Sequence, residues 1–380
     1  MSTIKPNFNP NNVNSEPLIT EARAPKQGEI WLFIDSQTFG GIETHVLELA
    51  QGLISESNRY SGSVRVVLLT KFDPEAIIVE KLNTLNILFS YLSDLASCSA
   101  DSSRNSATQL KRAVQHYQPR LIHAHGYKAS LVSKLIKLPP RLNNTKQITT
   151  YHAGETPTGK VWLYDWLDRY SSFLSDQSLV VSEKIKTKVP SKTHQLNNFV
   201  KVPTRLTNAP PSSPSHVGFV GRLSHEKAPD RFVALAKQFP EVQFELFGDG
   251  PEMEALVKAQ PDNVTFHGHQ TNMDDVWSQI DLLIIPSRFE GLPMAALEAM
   301  IRGIPVLATS VGNLPQLIEH QVNGFLAHTE AELEQFLSLW MSLTSEQRDS
   351  FKSNAIETVK SQYSPQAVVP KLLEIYQLDR

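Results

Sequence analysis

The chain has 380 residues, of which 41% are hydrophobic and 20% charged, so it can form two domains that each have an apolar core. A single cysteine, Cys98, excludes an internal disulfide and favours a reducing compartment. No apolar run approaches the roughly 20 residues that span a bilayer, and the start of the chain is too polar for a secretory signal, so we expect a cytoplasmic protein.

The net charge of −3 is unevenly distributed along the chain. Residues 1–200 contain 22 Lys and Arg against 17 Asp and Glu, whereas residues 201–380 contain 14 against 22. A span without any acidic residue holds nine basic ones, namely Arg104, Lys111, Arg112, Arg120, Lys128, Lys134, Lys137, Arg141 and Lys146. Charge runs are usually solvated faces. This span includes a predicted amphipathic helix at 127–137, which favours peripheral contact with an anionic surface. That surface would be the cytoplasmic face of the inner membrane or an acidic lipid-linked molecule. We expect the apolar residues of the helix to pack on the sheet and its cations to face the membrane.

Residues 1–27 are rich in Asn, Pro and Ser without a period, which predicts a disordered tail. The first domain, predicted for residues 28–200, opens on an apolar strand at 29–35. Gly40 and Gly41 follow this strand, and a helical pattern begins at Ile42. Gly-Gly pairs are usually only turns, but a strand, a glycine turn and a helix together expose backbone N–H groups that can bind an anion.

Apolar strand patterns at 64–70, 121–125, 148–153 and 179–182 alternate with helical patterns at 107–118, 127–137 and 161–175. This alternation predicts an α/β fold with a doubly wound parallel sheet. Ligands bind beyond the carboxyl ends of such strands, and His123, His125 and His152 all fall at those ends. Single histidines there are more often structural than catalytic.

A proline-rich stretch at 201–214 predicts an interdomain linker. The second domain, predicted for residues 215–362, opens on a strand at 216–221 that runs into Arg222 and Lys227. Two cations at a helix start would oppose a diphosphate and its developing charge. The alternative is an exposed basic pair beside Glu226. Helical patterns at 333–343 and 346–362 follow, and residues 363–380 are predicted to form a terminal helix.

Two carboxylates lie in the segment between the predicted strands at 281–285 and 305–308. Glu290 falls in a loop, and Glu298 falls on the flank of a helix that Pro293 opens and Gly303 closes. Glu298 could simply pair with Arg302, four residues on. The second carboxylate, the flexible Gly291 and the helix N-terminus together favour a negatively charged ligand that carries hydroxyl groups.

These motifs carry a family resemblance. Glu290 and Glu298, with seven residues between them in the setting Ser-Arg-Phe-Glu-Gly-Leu-Pro, resemble the E-x7-E element of GT-B glycosyltransferases, above all retaining family 4. The stretch from Arg222 to Lys227 is similar to the family's G-R-L-x-x-E-K motif, and Leu-Ile-His-Ala-His-Gly to the strand whose second histidine lies by the reacting sugar. The resemblance implies two Rossmann-like doubly wound parallel-sheet domains facing across a cleft, with the terminal helix crossing back to the first domain.

The resemblance also implies a function. A hexose-type sugar would pass with retention from a nucleoside diphosphate sugar to an acceptor hydroxyl, in the synthesis of cell-surface polysaccharide, lipopolysaccharide or glycolipid. We expect a saccharide or lipid-linked acceptor and no nucleic acid partner. We expect no cofactor and no metal, because no Asp-x-Asp motif occurs in a metal-binding context. The alternatives are a nucleotide-sugar epimerase or phosphorylase of the same fold, and a catalytically inactive pseudo-transferase that only binds a partner.

The roles of single residues follow from the same resemblance. The implied catalytic residues are Arg222, Lys227, His125 and Glu290. The implied donor-binding residues are Gly40, Gly41, Arg222, Lys227, Gly268, Glu290, Gly291, Leu292, Pro293 and Glu298. His152 and Lys128 are predicted to lie on the acceptor side, with the role of His152 left open. The family's Gly-Gly pair corresponds here to Gly312 and Asn313, so one glycine is lost.

Overall fold

The structure is a computed structural model that describes residues 25–60, 62–97, 105–138, 145–152, 160–181, 183–203 and 216–378. The predicted tail at 1–27 and the predicted linker at 201–214 lie outside the described residues, except for residues 25–27 and 201–203. Two parallel sheets form the fold, one of seven strands and one of six. The α/β prediction of two doubly wound parallel-sheet domains is therefore confirmed.

The first sheet has the strand order β3-β2-β1-β4-β5-β6-β7. Its strands are β1 Ile30–Ile34, β2 Val64–Leu68, β3 Phe89–Tyr91, β4 Leu121–His125, β5 Lys146–Tyr151, β6 Gln177–Val180 and β7 Thr193–Gln195. Its α-helices are α1 Gly41–Ser55, α2 Ile77–Thr84, α3 Leu92–Ala96, α4 Ser106–Tyr117, α5 Tyr127–Lys134, α6 Lys160–Tyr170 and α7 Glu183–Lys186. Short 3-10 turns follow α1, α5 and α6 at Ser57–Arg59, Leu135–Lys137 and Ser171–Leu174. The helices predicted at 127–137 and 161–175 therefore end as 3-10 turns.

The second sheet has the strand order β10-β9-β8-β11-β12-β13. Its strands are β8 His216–Val220, β9 Gln243–Phe247, β10 Val264–Gly268, β11 Leu282–Ile285, β12 Val306–Thr309 and β13 Gly324–Ala327. The helices of this half are α8 Pro229–Gln238, α9 Met253–Lys258, α10 Met273–Trp277, α11 Met294–Ile301, α12 Leu314–Leu317, α13 Glu330–Ser342, α14 Ser345–Gln362 and α15 Pro365–Tyr376.

The strand β1 shows why the first sheet is covered on both faces. All five of its residues are buried. Because side chains alternate along a strand, Ile30 and Leu32 pack on the face covered by α1 and α15, whereas Trp31 and Phe33 pack on the opposite face with apolar residues of α4 and α5. A strand that is apolar at every position is typical of such a doubly covered parallel sheet.

The last helix, α15, packs on the first sheet although it follows the second in sequence. Its residues Val369 and Leu373 belong to the same buried cluster as Leu49 and Leu53 of α1. The Tyr376 hydroxyl lies 2.6 Å from Nδ1 of His123 in β4. The helix thereby fixes the end of the chain to the strand that carries the histidine pair.

The basic span differs from its prediction at Lys134. This lysine is buried, and its ammonium group donates to the Asp168 side chain at 2.6 Å, because the helix α6 covers it. It is therefore not a membrane-facing cation. Leu135 and Leu138, which were expected to pack on the sheet, are exposed instead, while Ile136 is buried. Arg104 and Arg141 lie outside the described residues.

Other cations of the span are engaged by the protein itself. Lys137 forms an ion pair with Asp176. Lys146 donates to the Tyr376 carbonyl at 3.0 Å and to the Gln377 side chain at 2.7 Å. Across the described stretches, no helix combines the length and the apolar composition that crossing a bilayer requires.

Candidate active site

The loop between β11 and α11 presents Glu290 at the carboxyl edge of the second sheet. Pro293 was predicted to be the first helical residue, but it has an extended conformation, with φ −70° and ψ 131°, and is the N-cap of α11. The helix therefore begins at Met294, one residue later than predicted. Gly303 follows the helix end with φ +77°, a conformation that glycine adopts without strain. The helix is otherwise buried on almost every side, so the loop before it is firmly positioned.

Glu290 and Lys227 form a close ion pair. The Lys227 ammonium group donates to both carboxylate oxygens, at 2.7 and 2.8 Å, and the Ser287 hydroxyl donates to the first of them at 2.8 Å. The Glu290 side chain is only 5% exposed, whereas that of Lys227 is 33% exposed. The lysine therefore retains an open side from which a second anion can reach it.

Arg222 lies on the same loop as Lys227, directly after the turn at Gly221, and its side chain is exposed. The Ser224 hydroxyl is the largest single cause that lowers the pKa of Glu226, with Arg222 a smaller one. The alternative of a basic pair beside Glu226 thus holds in part for Arg222, while Lys227 turns towards Glu290 instead.

The turn after β9 supports this loop through direct backbone contact. A Cβ at Gly248 would lie 1.8 Å from the Gly221 carbonyl oxygen, and one at Gly250 would lie 2.4 Å from that of Leu223. The Leu223 amide donates to the Asp249 carbonyl at 2.9 Å. Only glycine permits this approach, which explains the glycines of the Gly-Asp-Gly-Pro turn. Gly268, at the end of β10, accepts from the Gly248 amide at 2.8 Å with its carbonyl oxygen.

Glu298 lies partly buried on α11. Its carboxylate accepts from the Trp277 indole at 3.3 Å. Arg302 donates instead to the Glu298 backbone carbonyl at 2.9 Å and to the Asp274 carboxylate at 2.9 Å. The expected alternative, a side-chain pair with Arg302, therefore does not form. Burial raises the pKa of Glu298, and the nearby Arg302 charge opposes that rise.

A carboxylate that the sequence analysis missed faces this region from the first domain. Glu48 of α1 accepts from the Lys201 amide at 2.8 Å. Burial, with a smaller contribution from the Glu298 charge, raises the pKa of Glu48 to about 7. Its helix reads as an ordinary amphipathic pattern, so only the contact between α1 and α11 reveals the pairing of the two acids.

The glycine corner after β1 is closed by its own helix. Gly40 caps α1 with an extended backbone, and its amide donates to the Glu43 carboxylate at 3.0 Å. Burial raises the pKa of Glu43. A Cβ at Gly41 would meet nothing within 4 Å. The corner therefore has open space beside backbone amides, with one amide held by a carboxylate that a phosphate would have to displace.

Three histidines from separate elements meet beneath this corner. Nδ1 of His125 in β4 lies 3.1 Å from Nε2 of His152 after β5. The ring of His45 in α1, which the sequence analysis missed, packs at 4.8 Å from that of His152. Their ligand atoms all lie within 4.8 Å of one another, so the three could hold a metal ion. The sequence-based expectation of no metal stays a prediction.

Three of the four imidazoles are buried and His152 is partly buried, and they differ in how they use their nitrogens. His123 is bonded at both, to Tyr376 and to Thr150, each at 2.6 Å, and is therefore structural. In contrast, Nε2 of His125 and both ring nitrogens of His45 have no hydrogen-bond partner among the described residues. Burial lowers the pKa of His45 to about 4 and the pKa values of His125 and His152 well below the ordinary range. These rings are neutral near pH 7, so each can donate one hydrogen bond and accept another.

The remaining predicted residues surround the same cleft. Lys128 pairs with Asp35, at the end of β1, at 2.8 Å. The side-chain amide of Asn198 donates to the Leu292 carbonyl at 2.7 Å, and the side-chain amide of Asn313 donates to the Val181 carbonyl at 2.8 Å. The loop that carries Glu290, Gly291 and Leu292 is thus held by both domains. A Cβ at Gly312 would lie 2.3 Å from the Glu290 carbonyl oxygen, so this remaining glycine of the pair lets two loops touch.

A protein family model matches each of the two domains. A family model described as glycosyl transferases group 1 matches residues 214–342, and one described as glycosyltransferase family 4 matches residues 39–194. The chain belongs to the group 1 glycosyltransferases. The first match contains Arg222, Lys227, Glu290 and Glu298, and the second contains His125 and His152.

Relatives of this group 1 glycosyltransferase include the O-antigen biosynthesis glycosyltransferase WbnH of Escherichia coli. The two are 32% identical over 180 residues, which cover 44% of this chain and 51% of WbnH. The N-acetyl-alpha-D-glucosaminyl L-malate synthase of Bacillus anthracis is 29% identical over 161 residues, which cover 40% of this chain and 42% of the synthase. The chain thus spans about half the length of the curated relatives it matches.

A solved structure extends the likeness to the whole architecture. The crystal structure of Anabaena HepE in complex with UDP and glucose matches with a TM-score of 0.73 at 18% identity, over 92% of this chain and 100% of that one. At this identity the likeness speaks for the fold alone. The predicted GT-B arrangement is confirmed.

Proposed function

We propose that this chain transfers a hexose-type sugar, with retention, from a nucleoside diphosphate sugar to an acceptor hydroxyl. The observation that carries the proposal is the Lys227–Glu290 pair, because it places a cation and a hydroxyl-binding carboxylate 2.7 Å apart on loops of one sheet edge. The family membership and the UDP and glucose bound to HepE support the same donor class.

Charge stabilisation would come from the second domain. As the bond between the anomeric carbon and the phosphate oxygen breaks, negative charge grows on the leaving diphosphate. Arg222 and the open side of Lys227 oppose that charge, and the amides of Gly40 and Gly41 can add hydrogen bonds. The two cations would supply what a divalent metal supplies elsewhere, so we propose that neither a metal nor a cofactor is required.

Positioning would come from the carboxylates and the histidines. Glu298, which is partly buried beside Trp277, suits the ribose hydroxyls. Glu290, whose oxygens face Lys227 and Ser287, suits hydroxyls of the transferred sugar. Nε2 of His125 is unpartnered among the described residues, so it can bond a hydroxyl of the reacting sugar. His152, bonded to His125, and Lys128 would lie towards the acceptor.

The acceptor would belong to cell-surface polysaccharide, lipopolysaccharide or glycolipid. The name of WbnH, an O-antigen biosynthesis glycosyltransferase, supports this direction. A peripheral position on the cytoplasmic face of the inner membrane remains part of the proposal. The basic span supports it less than its sequence suggests, since Lys134 is buried and Lys137 pairs with Asp176.

The experiment is a donor and acceptor matrix. Purified protein is incubated with UDP, GDP and ADP sugars, with and without saccharide and lipid-linked acceptors, in the presence or absence of EDTA. We expect release of one nucleoside diphosphate together with a glycosylated acceptor, and no loss with EDTA. Conversion of the donor without an acceptor would indicate an epimerase, and binding of the donor without any turnover would indicate a pseudo-transferase. NMR of the product anomer tests retention separately.

A further inference from the structure

The helix α6 is amphipathic in the reverse sense. Its charged residues face inward: Asp168 and Arg169 are buried, and the buried Lys134 donates to the Asp168 side chain at 2.6 Å. Its apolar residues face outward. The exposed large side chains of α6 and of the 3-10 turn after it are Val161, Trp162, Leu163, Tyr164, Trp166, Leu167, Tyr170 and Phe173, which we call the α6 face.

Buried hydrogen bonds and an ion pair fix the orientation of α6. The Lys134 ammonium group also donates to the Asp168 carbonyl at 2.6 Å and to the Tyr151 hydroxyl at 3.0 Å. Rotating α6 to bury its aromatic rings would move Asp168 away from Lys134. The lysine charge would then lie unpaired inside the domain. Phe173 is 75% exposed and Tyr170 55% exposed, so the face stays open to solvent in the folded chain. Contiguous apolar surface of this kind marks an interaction site.

The composition of the face selects its partner. Trp and Tyr with Leu between them are the side chains that settle at the boundary between lipid headgroups and acyl chains. Charged residues border the rings: Lys188 lines the groove that Trp162, Trp166 and Tyr170 form, and Lys192 lines the one beside Phe173. Each groove also contains one carboxylate, Asp165 or Asp176, and each carboxylate is paired with a cation of the protein, Arg169 or Lys137. Aromatic residues with lysines at their edge match a phospholipid surface with some anionic headgroups.

The α6 face also adjoins the predicted acceptor side of the cleft. The ring of Tyr164 stacks on that of Tyr127 at 6.0 Å. Tyr127 stands two residues after His125, at the start of α5. A bilayer that touched the α6 face would therefore hold a membrane-borne hydroxyl beside the strand ends that carry the histidines.

We propose that the α6 face docks this protein on the surface of a phospholipid bilayer, with its Trp and Leu side chains inserted at the headgroup boundary. This docking differs from the electrostatic contact predicted for the basic span, because inserted apolar side chains hold the protein even when salt screens the charges. It does not depend on the proposed transferase activity.

Tryptophan fluorescence tests the proposal on the native chain. Of the five tryptophans, Trp31, Trp277 and Trp340 are at most 1% exposed, while Trp162 and Trp166 are 48% and 40% exposed. Vesicles of phosphatidylcholine and phosphatidylglycerol should shift the emission to shorter wavelength, and brominated acyl chains should quench it. The Trp162→Phe/Trp166→Phe double variant should still cosediment with vesicles but should lose the shift and the quenching.

Charge placed in the face provides the second arm. Leu167→Asp and Phe173→Asp should each lower the vesicle partition coefficient about tenfold or more, at low and at high salt. The matched control is Val257→Asp on α9, where the valine is 45% exposed in the second domain and binding should not change. Circular dichroism confirms that each variant is folded.

Three results would overturn the proposal. The first would be a native chain that does not bind vesicles. The second would be a Leu167→Asp variant that binds as tightly as the native chain. The third would be complete loss of binding at high salt, which would assign the binding to the basic span. A concentration-dependent dimer that Phe173→Asp dissociates, without any vesicle binding by the native chain, would instead assign the face to a contact between two copies. If the native chain binds vesicles but transfers no sugar to any acceptor, the proposed function is wrong and this inference still stands.

Discussion

The Lys227 ammonium group lies 2.7 and 2.8 Å from the two carboxylate oxygens of Glu290. The pair joins a cation expected to meet phosphate with a carboxylate expected to meet sugar hydroxyls. In the unliganded protein each neutralises the other, so the loop is stable without a donor. In the proposed reaction, a nucleoside diphosphate sugar would share Lys227 on its open side while its sugar reached Glu290, and the pair would link recognition of the two halves of the donor.

Removing either cation tests the stabilisation of the leaving group. Arg222→Ala and Lys227→Ala should each lower kcat by ~10²-fold or more, the scale of losing one preorganised charge contact in a transition state. The control is Lys258→Ala, whose lysine pairs with Glu254 on the surface of α9 and should not affect turnover. Native turnover in either active-site variant would rule out the phosphate assignment.

The two carboxylates should separate nucleotide binding from sugar recognition. Glu298→Ala should weaken the binding of the free nucleoside diphosphate, because it removes the acceptor for the ribose hydroxyls. Glu290→Ala should leave that binding intact and impair only the use of the sugar nucleotide, because Lys227 keeps its charge. Titration calorimetry with the diphosphate and with the sugar nucleotide distinguishes the two, and the reverse pattern would refute this division.

Glu48 should make stability depend on pH. Its pKa is raised to about 7 in the folded chain from an ordinary value of 4.5, so the folded state binds more protons than the unfolded state between these values. Stability from this group is present at low pH and is lost as pH rises through about 7. Glu48→Gln should therefore gain thermal stability relative to the native chain as pH rises through this window.

Melting curves across that range give the comparison, with Glu254→Gln as the control. Glu254 lies 85% exposed in a surface pair, so its replacement should shift the midpoint equally at every pH. A difference between Glu48→Gln and the native chain that does not vary with pH would contradict the burial of this carboxylate.

The buried pair of Lys134 and Asp168 should matter for folding rather than for membrane charge. Lys134→Met leaves Asp168 without its partner and should cost roughly 3–5 kcal/mol of unfolding free energy. Lys258→Met removes a lysine that is 73% exposed and pairs with the 85% exposed Glu254, so it should cost about 1 kcal/mol or less. Urea denaturation followed by circular dichroism measures both. Equal and small losses would show that Lys134 is a surface cation after all.

The sequence predicts the strands well and the side-chain partners poorly. The strand at 121–125 has the predicted bounds and is buried at all five positions, because both faces of the first sheet are covered. The three-residue strands β3 and β7 are too short to leave a pattern. Lys134 looks like a surface cation on a helical wheel, and only the packing of α6 shows its buried partner.

Within the site, motif positions are predictable and cross-domain contacts are not. Glu290 and Lys227 stand out through their motifs, although nothing in the sequence pairs them. His45 and Glu48 lie on one turn of a helix that reads as ordinary, and their neighbours come from β4, β5 and α11. Such contacts depend on how the two sheets face each other, which no local spacing encodes.

Calorimetric titration with UDP, GDP and ADP tests the central claim most directly, since it asks whether the loop that carries Lys227 and the helix that carries Glu298 bind a nucleoside diphosphate. We expect one of the three to bind the native chain at a single site, and Lys227→Ala and Glu298→Ala to weaken that binding while Lys258→Ala does not. Absence of binding by all three nucleotides, or equal binding by the native chain and both active-site variants, would contradict the proposed donor site.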